Sequence, residues 1–230
     1  VAVLDAVRQR FAAGDALVIL AADLEQVLWA NGPGAALLGY PDIERIIGES
    51  SGLSAVARRQ IMATSGYPDI GSNRSLMVRL TSGMTSRAVG FLASSIMLPD
   101  GEKAILLAVA PEQDEQANAS ERTAKAIGGF AEDGHFLAFI DGQGDIETAS
   151  ADFAKLGIPA STLATLVREV ANERDRIVKR LVTVGRKSYP AGIARLTDDP
   201  ARHLLVVIDE GQSDEADAEP PVEVVSPPSA

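Results

Sequence analysis

The sequence predicts an α+β fold in which one structural unit occurs twice. Residues Val18–Tyr40 contain two apolar runs separated by a polar turn, followed by a short segment rich in Gly, Ala and Leu. A weaker copy of this stretch lies near Leu137–Ile158. Each copy precedes a helical pattern and then three runs typical of strands. We therefore expect the order strand-strand-helices-strand-strand-strand, twice, in about a hundred residues each.

A helix is predicted at the start of the chain, over Val1–Ala13. Its apolar side chains Val3, Leu4, Val7 and Phe11 share one face. This helix either covers its own domain or pairs with a second copy of the chain. Because a small domain can leave part of such a stripe uncovered, these four residues are our candidate dimerisation contacts.

The rest of the first unit follows from turns and periodicity. A turn at Ala22–Gln26 separates two strands, and the Asp23 carboxylate is suited to accept hydrogen bonds from turn amides. Helices are predicted at Pro41–Ile47 and Ser54–Thr64, the second with Val56, Ile61 and Met62 as core contacts. Three strands complete the unit. The first begins at Arg74, the second spans Thr85–Met97 and the third spans Lys103–Ala110.

The second unit repeats this plan after a helix that begins at Ser120. Placing Leu20–Asn31 beside Phe139–Ser150 matches strand, turn and strand without a gap. The predicted later elements are a short helix at Ala151–Leu156, a long helix at Ser161–Arg176, and strands at Ile177–Val184, Lys187–Leu196 and Arg202–Ile208. We expect domains at 1–112 and 134–210, a linker helix at 113–133, and an acidic Pro-rich linker or tail at 211–230.

Composition excludes several classes of protein. The chain has no Cys, so disulfides, thiolate metal sites and cysteine nucleophiles are excluded. The net charge is −11, and 211–230 contains five acidic and no basic residues. Nucleic acid and anionic membrane are therefore poor partners. The apolar runs are too short to span a bilayer. We expect a cytoplasmic protein, and a piece of a longer chain.

The stretch with Asp23, Trp29-Ala30-Asn31 and Leu37-Leu38-Gly39-Tyr40 resembles the PAS domain family. In the second unit, Asp141-Gly142-Gln143-Gly144 and Leu156-Gly157 continue the resemblance, with Ser150 in place of Asn and Ile158 in place of Tyr. The resemblance implies two five-stranded antiparallel sheets of order 2-1-5-4-3, flanked by short helices, with a sensory or dimerisation role. The tandem pair is also similar to the cytoplasmic input region of bacterial cell-cycle histidine kinases of the PleC/DivJ/PdhS type.

Five residues are candidates for the wall of a PAS cavity. Trp29 is a core or interface aromatic, a cavity wall or a dimer contact. We expect Asn31 to bridge backbone groups at the strand–helix junction rather than to contact a ligand. Phe91, Met97 and Leu107 are sheet residues that could face the same apolar cavity. None of these residues identifies a ligand.

Catalytic and cofactor chemistry is not indicated. The two histidines, His135 and His203, lie near strand ends, and neither is on a long helix from which PAS domains bind haem. Haem and cysteinyl-flavin are therefore disfavoured. Gly32-Pro33-Gly34 precedes a helix without a nearby Lys or Arg, which is a weak phosphate cradle. We expect no catalytic residue, metal or cofactor.

These observations predict a non-catalytic sensory and dimerisation region of a bacterial signalling protein. The expected output is a histidine kinase of a two-component system, in a homodimer that a regulatory protein could bind. Two alternatives stay open. One is a small-molecule or cofactor sensor that feeds another output domain, and the other is a protein-docking scaffold.

Overall fold

A computed structural model describes residues 1–41, 43, 45–82, 85–110, 124–128 and 134–209. These residues form two five-stranded antiparallel sheets, one in each half of the chain. The sheet orders are β2-β1-β5-β4-β3 and β7-β6-β10-β9-β8. Both orders match the one that the PAS resemblance implies, so the predicted α+β plan of two sheets is confirmed.

The first unit contains β1–β5 and three helices. Its elements are α1 (Asp5–Ala13), β1 (Ala16–Ala21), β2 (Val27–Ala30), α2 (Gly32–Leu37), α3 (Ala55–Met62), β3 (Arg74–Ser82), β4 (Thr85–Met97) and β5 (Lys103–Val109). The second unit contains β6 (His135–Asp141), β7 (Ile146–Ala149), a 3₁₀ turn (Phe153–Leu156), α4 (Ala160–Ala171), β8 (Ile177–Val184), β9 (Lys187–Asp198) and β10 (Ala201–Ile208).

The first hairpin of each unit has the same register and the same irregularity. Ile19 pairs with Trp29 before a bulge, and Phe139 pairs with Thr148 before the matching bulge. The strand β6 is therefore offset from β1 by 120 residues, whereas β7 is offset from β2 by 119. The gap-free alignment was wrong, because the turn of the second hairpin is one residue shorter.

Each sheet has an inner face, which its own helices cover, and an outer face on the opposite side. The inner face of the first sheet packs on α2 and α3, and that of the second packs on α4. The outer faces of both sheets share one apolar cluster, which we call the shared core. Its buried residues are Val7, Phe11, Ala12, Leu17, Ile19, Ala104, Leu106, Ala108, Ala126, Ile127, Leu137, Phe139, Ala194, Leu196 and Leu204.

Several helix boundaries differ from the predictions. Helix α1 begins at Asp5, because Leu4 is extended, and it ends at Gly14, whose φ of 83° is left-handed. The described residues between 41 and 48 form bends and a turn instead of the predicted helix. On α3, Ile61 is buried as predicted, but Val56 and Met62 are exposed, so these two predicted core contacts were wrong.

The predicted linker helix is described only at 124–128, where 124–127 are helical. This short helix precedes Gly134 and β6 much as α1 precedes Gly14 and β1. Both glycines are left-handed, with φ of 81° and 83°. The helix therefore corresponds in sequence to α1. The predicted tail at 211–230 lies outside the described residues.

Candidate functional site

Asn31 joins β2, β1 and α2 through its buried side chain. Its Oδ1 accepts hydrogen bonds from the amides of Leu17 at 2.9 Å and Gly34 at 3.0 Å, and its Nδ2 donates to the Asp15 carbonyl at 2.7 Å. The side chain is fully buried, so these bonds replace water for three groups. This geometry confirms the predicted bridging of backbone groups at the strand–helix junction.

Ser150 takes the corresponding place in the second unit. Its Oγ accepts a hydrogen bond from the Leu137 amide at 2.9 Å, and its own amide donates to the Leu137 carbonyl at 2.8 Å. The Asn31 amide donates in the same way to Leu17, at 3.1 Å. A hydroxyl can thus keep the bond to the first strand. It lacks the amide donor that Asn31 offers to a second backbone group.

The candidate cavity residues do not meet at one place. Phe91 and Leu107 are buried together in the inner-face core of the first unit. Trp29 lies on the outer face and packs against the shared core. Met97 is 52% exposed, at the end of β4. Beside the inner-face core a surface cleft of about 240 Å³ opens between α2 and the segment that precedes α3. Ligand contact by these side chains stays a prediction.

Helix α1 lies between the two sheets and contacts both. The Phe11 ring meets Trp29 edge-on with centroids 5.9 Å apart, and it meets Phe139 of the second sheet at 5.7 Å. Phe11 is 1% exposed and Val7 is fully buried. The apolar stripe is therefore covered within the chain at these two positions. Val3 and Leu4, the other candidate dimerisation contacts, are partly buried at the rim of the shared core.

Two arginines fix α1 to the second sheet. The Arg8 guanidinium donates to the Leu196 carbonyl at 2.8 Å, and the Arg202 guanidinium donates to the Ala12 carbonyl at 2.7 Å. Arg202 also forms an ion pair with Glu147 on β7. Charged donors on backbone carbonyls give directional bonds that hold the helix in register with the sheet. Movement of α1 must therefore displace the second sheet or break these bonds.

Two buried titratable side chains, Asp15 and His203, have shifted pKa values. Burial raises the pKa of the Asp15 carboxyl, and the Arg10 guanidinium, 2.8 Å away, offsets part of that rise. Burial lowers the pKa of the His203 imidazole, on the inner face of β10. Its Nδ1 lies 3.3 Å from the Ile140 carbonyl. The Asp15 carboxylate is thus held in an ion pair with Arg10, and the His203 imidazole lies close enough to Asp141 for their charges to interact.

Known proteins are similar to this chain over most of its length. No family model matches the chain. The cell-division control histidine kinase PdhS of Brucella anthropi is 42% identical over 208 residues, which is 90% of this chain and 19% of that protein. PdhS of Brucella abortus is 43% identical over 209 residues, with the same two shares. The chain is a homologue of one segment of PdhS.

The chain thus spans 19% of the length of these PdhS relatives. Among solved structures, the chromophore-binding domain of a Stigmatella aurantiaca bacteriophytochrome aligns with 86% of both chains, at 12% identity and a TM-score of 0.31. That likeness is too slight to assign a fold or a ligand.

The PdhS-like segment holds no metal cluster within its described residues: three or more His, Asp or Glu side chains do not converge there. None of the described helices is long and apolar enough to cross a membrane. The contact residues that sequence reasoning missed are Arg8, Phe139 and Arg202. Phe139 lies in a strongly apolar strand, but only the pairing of two sheets through α1 shows which face it occupies.

Proposed function

We propose that this chain is a tandem PAS sensory and dimerisation region of a bacterial histidine kinase that controls cell division. In this proposal the segment is cytoplasmic and non-catalytic, and the kinase domain lies elsewhere in the full-length protein. The observation behind it is the similarity to PdhS over 208 residues, which is too long to omit either unit. The strand order of both sheets supports the PAS assignment.

The shared core suggests how such a region transmits a signal. A ligand or partner that binds the first unit would favour one packing of its sheet over another. Since Phe11 contacts both Trp29 and Phe139, a shift of the first outer face reaches the second sheet through α1. The second sheet would then bias the kinase domain of the full-length protein.

The proposal is tested in a chimera. The matching segment of Brucella abortus PdhS is replaced by this chain, and autophosphorylation with radiolabelled ATP is measured. We expect the chimera to keep kinase activity and Phe11→Leu to change its rate. Val56→Ala is the matched control, because Val56 is an apolar side chain on an exposed helix face. A rate that is indifferent to Phe11→Leu and to deletion of the whole segment would contradict a regulatory role.

Pairing of two chains is a separate part of the proposal. Val7 and Phe11 are buried within the chain, so of the four candidate contacts only Val3 and Leu4, which precede α1, have side chains that are still partly accessible. We expect wild-type protein to sediment as a dimer and Leu4→Glu to sediment as a monomer. The control is Val56→Glu, which should stay dimeric. A dimeric Leu4→Glu variant excludes this surface.

A small-molecule sensor is the second candidate, and the cleft beside the first inner-face core favours it. Leu37, Leu53 and Leu80 line this cleft together with Arg87, so it offers apolar contacts and one cation. Native mass spectrometry and an absorbance scan of the purified chain test this role. Absence of any co-purified small molecule and of any visible absorbance counts against a tightly bound ligand.

A further inference from the structure

An apolar groove crosses the outer face of the second sheet beyond the shared core. Its volume is about 650 Å³, and strands β8, β9 and β10 form its floor. The N-terminal residues Val1 and Val3 form one wall. The floor includes Ile177, Lys179, Leu181, Gly192, Val206 and Ile208.

The groove is uncovered because the shared core stops short of the sheet edge. In the second sheet, the buried residues of that core lie on β6, β9 and β10, whereas β8 contributes none of them. Leu181 on β8 is 64% exposed and Ile177 is 36% exposed. Contiguous exposed apolar side chains of this kind are typical of an interaction surface.

The groove also contains a cationic side chain, Lys179, in a chain that is acidic overall. Residues 176–197, which include β8 and most of β9, contain six basic and no acidic residues. The net charge of the whole chain is −11. Lys179 lies in the groove, and it forms no ion pair with any residue that the structure describes. Arg180 beside it is paired with Glu169 of α4. An acidic segment with apolar side chains therefore suits this surface.

The C-terminal tail of this chain has that chemistry. Residues 210–230 contain six acidic and no basic residues, and Val222, Val224 and Val225 are clustered around Glu223. The tail follows β10 directly, and Ile208 at the end of β10 lines the groove. Strand β8 lies two strand spacings from β10, about 10 Å. The thirteen residues 209–221 can reach about 40 Å, so length does not prevent contact.

We propose that the acidic tail of this chain binds the apolar groove on strands β8 and β9 of the same chain. The valines of the tail contact Ile177 and Leu181, and Glu223 lies near Lys179. This inference does not depend on the kinase assignment, although Val3 at the wall of the groove also belongs to the surface proposed for pairing of two chains.

Paramagnetic labelling of the full chain tests the contact. The chain has no Cys, so Ser226→Cys gives one attachment point for a nitroxide. We expect the methyl signals of Ile177 and Leu181 to lose most of their intensity. Met77 is the internal control, since it is 67% exposed on the edge strand of the other sheet, and its signal should keep its intensity. Raising the salt concentration should weaken the effect, because exposed charges are screened.

Two groove variants make the test specific. Leu181→Glu places a charge at an exposed site, so it should leave the fold intact and restore the Ile177 signal. Lys179→Glu should also restore it, and combining Lys179→Glu with Glu223→Lys should bring the broadening back. The proposal is overturned if the Ile177 signal keeps its intensity in the labelled wild type, or if broadening is the same in the Leu181→Glu variant.

Two further outcomes would assign the groove to another occupant and overturn the proposal. In a mixture of nitroxide-labelled chains and isotope-enriched unlabelled chains, broadening would place the tail of a second copy in the groove. Broadening of the same methyl signals by phosphatidylglycerol vesicles, without any effect of the tail label, would assign the groove to a membrane surface.

Discussion

Truncation of Phe11 is the sharpest test of the shared core. Phe11 is 1% exposed and contacts an aromatic ring in each sheet. Replacing a buried Phe by Ala removes its transfer free energy and leaves a cavity, which together cost about 3–5 kcal/mol. The two ring contacts place Phe11→Ala toward the upper end, because each aromatic pair adds about 0.5–1.5 kcal/mol. Such a loss is a large share of the total stability of a typical domain.

Urea unfolding measures this loss with two probes. Fluorescence of Trp29, the single Trp in the chain, reports on the first unit and on its contact with Phe11. Far-ultraviolet circular dichroism reports on both sheets. We expect the wild-type transitions to coincide and those of Phe11→Ala to occur at lower urea and to separate, because the two units lose a shared contact.

The control for this prediction is Val56→Ala, at a side chain that is 60% exposed on α3. Surface substitutions of this kind change stability by about 0.5 kcal/mol or less. If Phe11→Ala costs no more than the control, α1 does not lie between the sheets in solution. Its apolar stripe would then be free to pair with a second copy, as the sequence alone suggested.

Three further predictions concern single side chains. Asn31→Ala should lower the free energy of unfolding in urea by about 2–5 kcal/mol, because it leaves buried backbone groups unpaired. Ser150→Ala removes one such hydrogen bond and should lower it by about 1–2 kcal/mol. Equal losses would contradict the different bonding of the two residues. Gly34→Ala should cost at least about 1–3 kcal/mol, because a Cβ there would lie 2.0 Å from the Leu17 carbonyl oxygen; a neutral result would mean that α2 lies farther from β1. Burial lowers the pKa of His203, so its folded state favours the neutral ring, and stability should fall as the pH drops below the ordinary value of 6.5. His203→Gln should reduce that pH dependence, and an unchanged slope would show that His203 is not its source.

The sheets were predictable because their strands are short apolar or alternating runs and their turns have clear signals. The predicted bounds of β8 match the structure, and those of β4 do as well. The Pro99-Asp100-Gly101 turn also joins β4 to β5 as expected. Short helices were less predictable. At Pro41–Ile47 a proline suited to a first helical turn is present, yet the described residues there form bends and a turn that end at Gly48, whose φ of 82° is left-handed.

The sheet face that each side chain occupies was harder to predict than the strands themselves. A strand places alternate side chains on opposite faces, but the pattern does not say what covers each face. Trp29 and Phe91 are both aromatic strand residues, yet Trp29 lies on the outer face and Phe91 on the inner face. A bulge after Ile19 also changes the register, and no residue type at that position predicts it.

The duplicated unit explains why α1 is not free. Val7 on α1 and Ile127 on the short helix before β6 are both buried in the shared core, at positions 120 residues apart. Each unit therefore contributes an N-terminal helix and an outer sheet face to the same apolar layer. The surface that the sequence suggested for pairing between two chains already serves for pairing between two units of one chain. The proposed association of two chains therefore relies on what this layer leaves accessible, which includes Val3 and Leu4 at its rim.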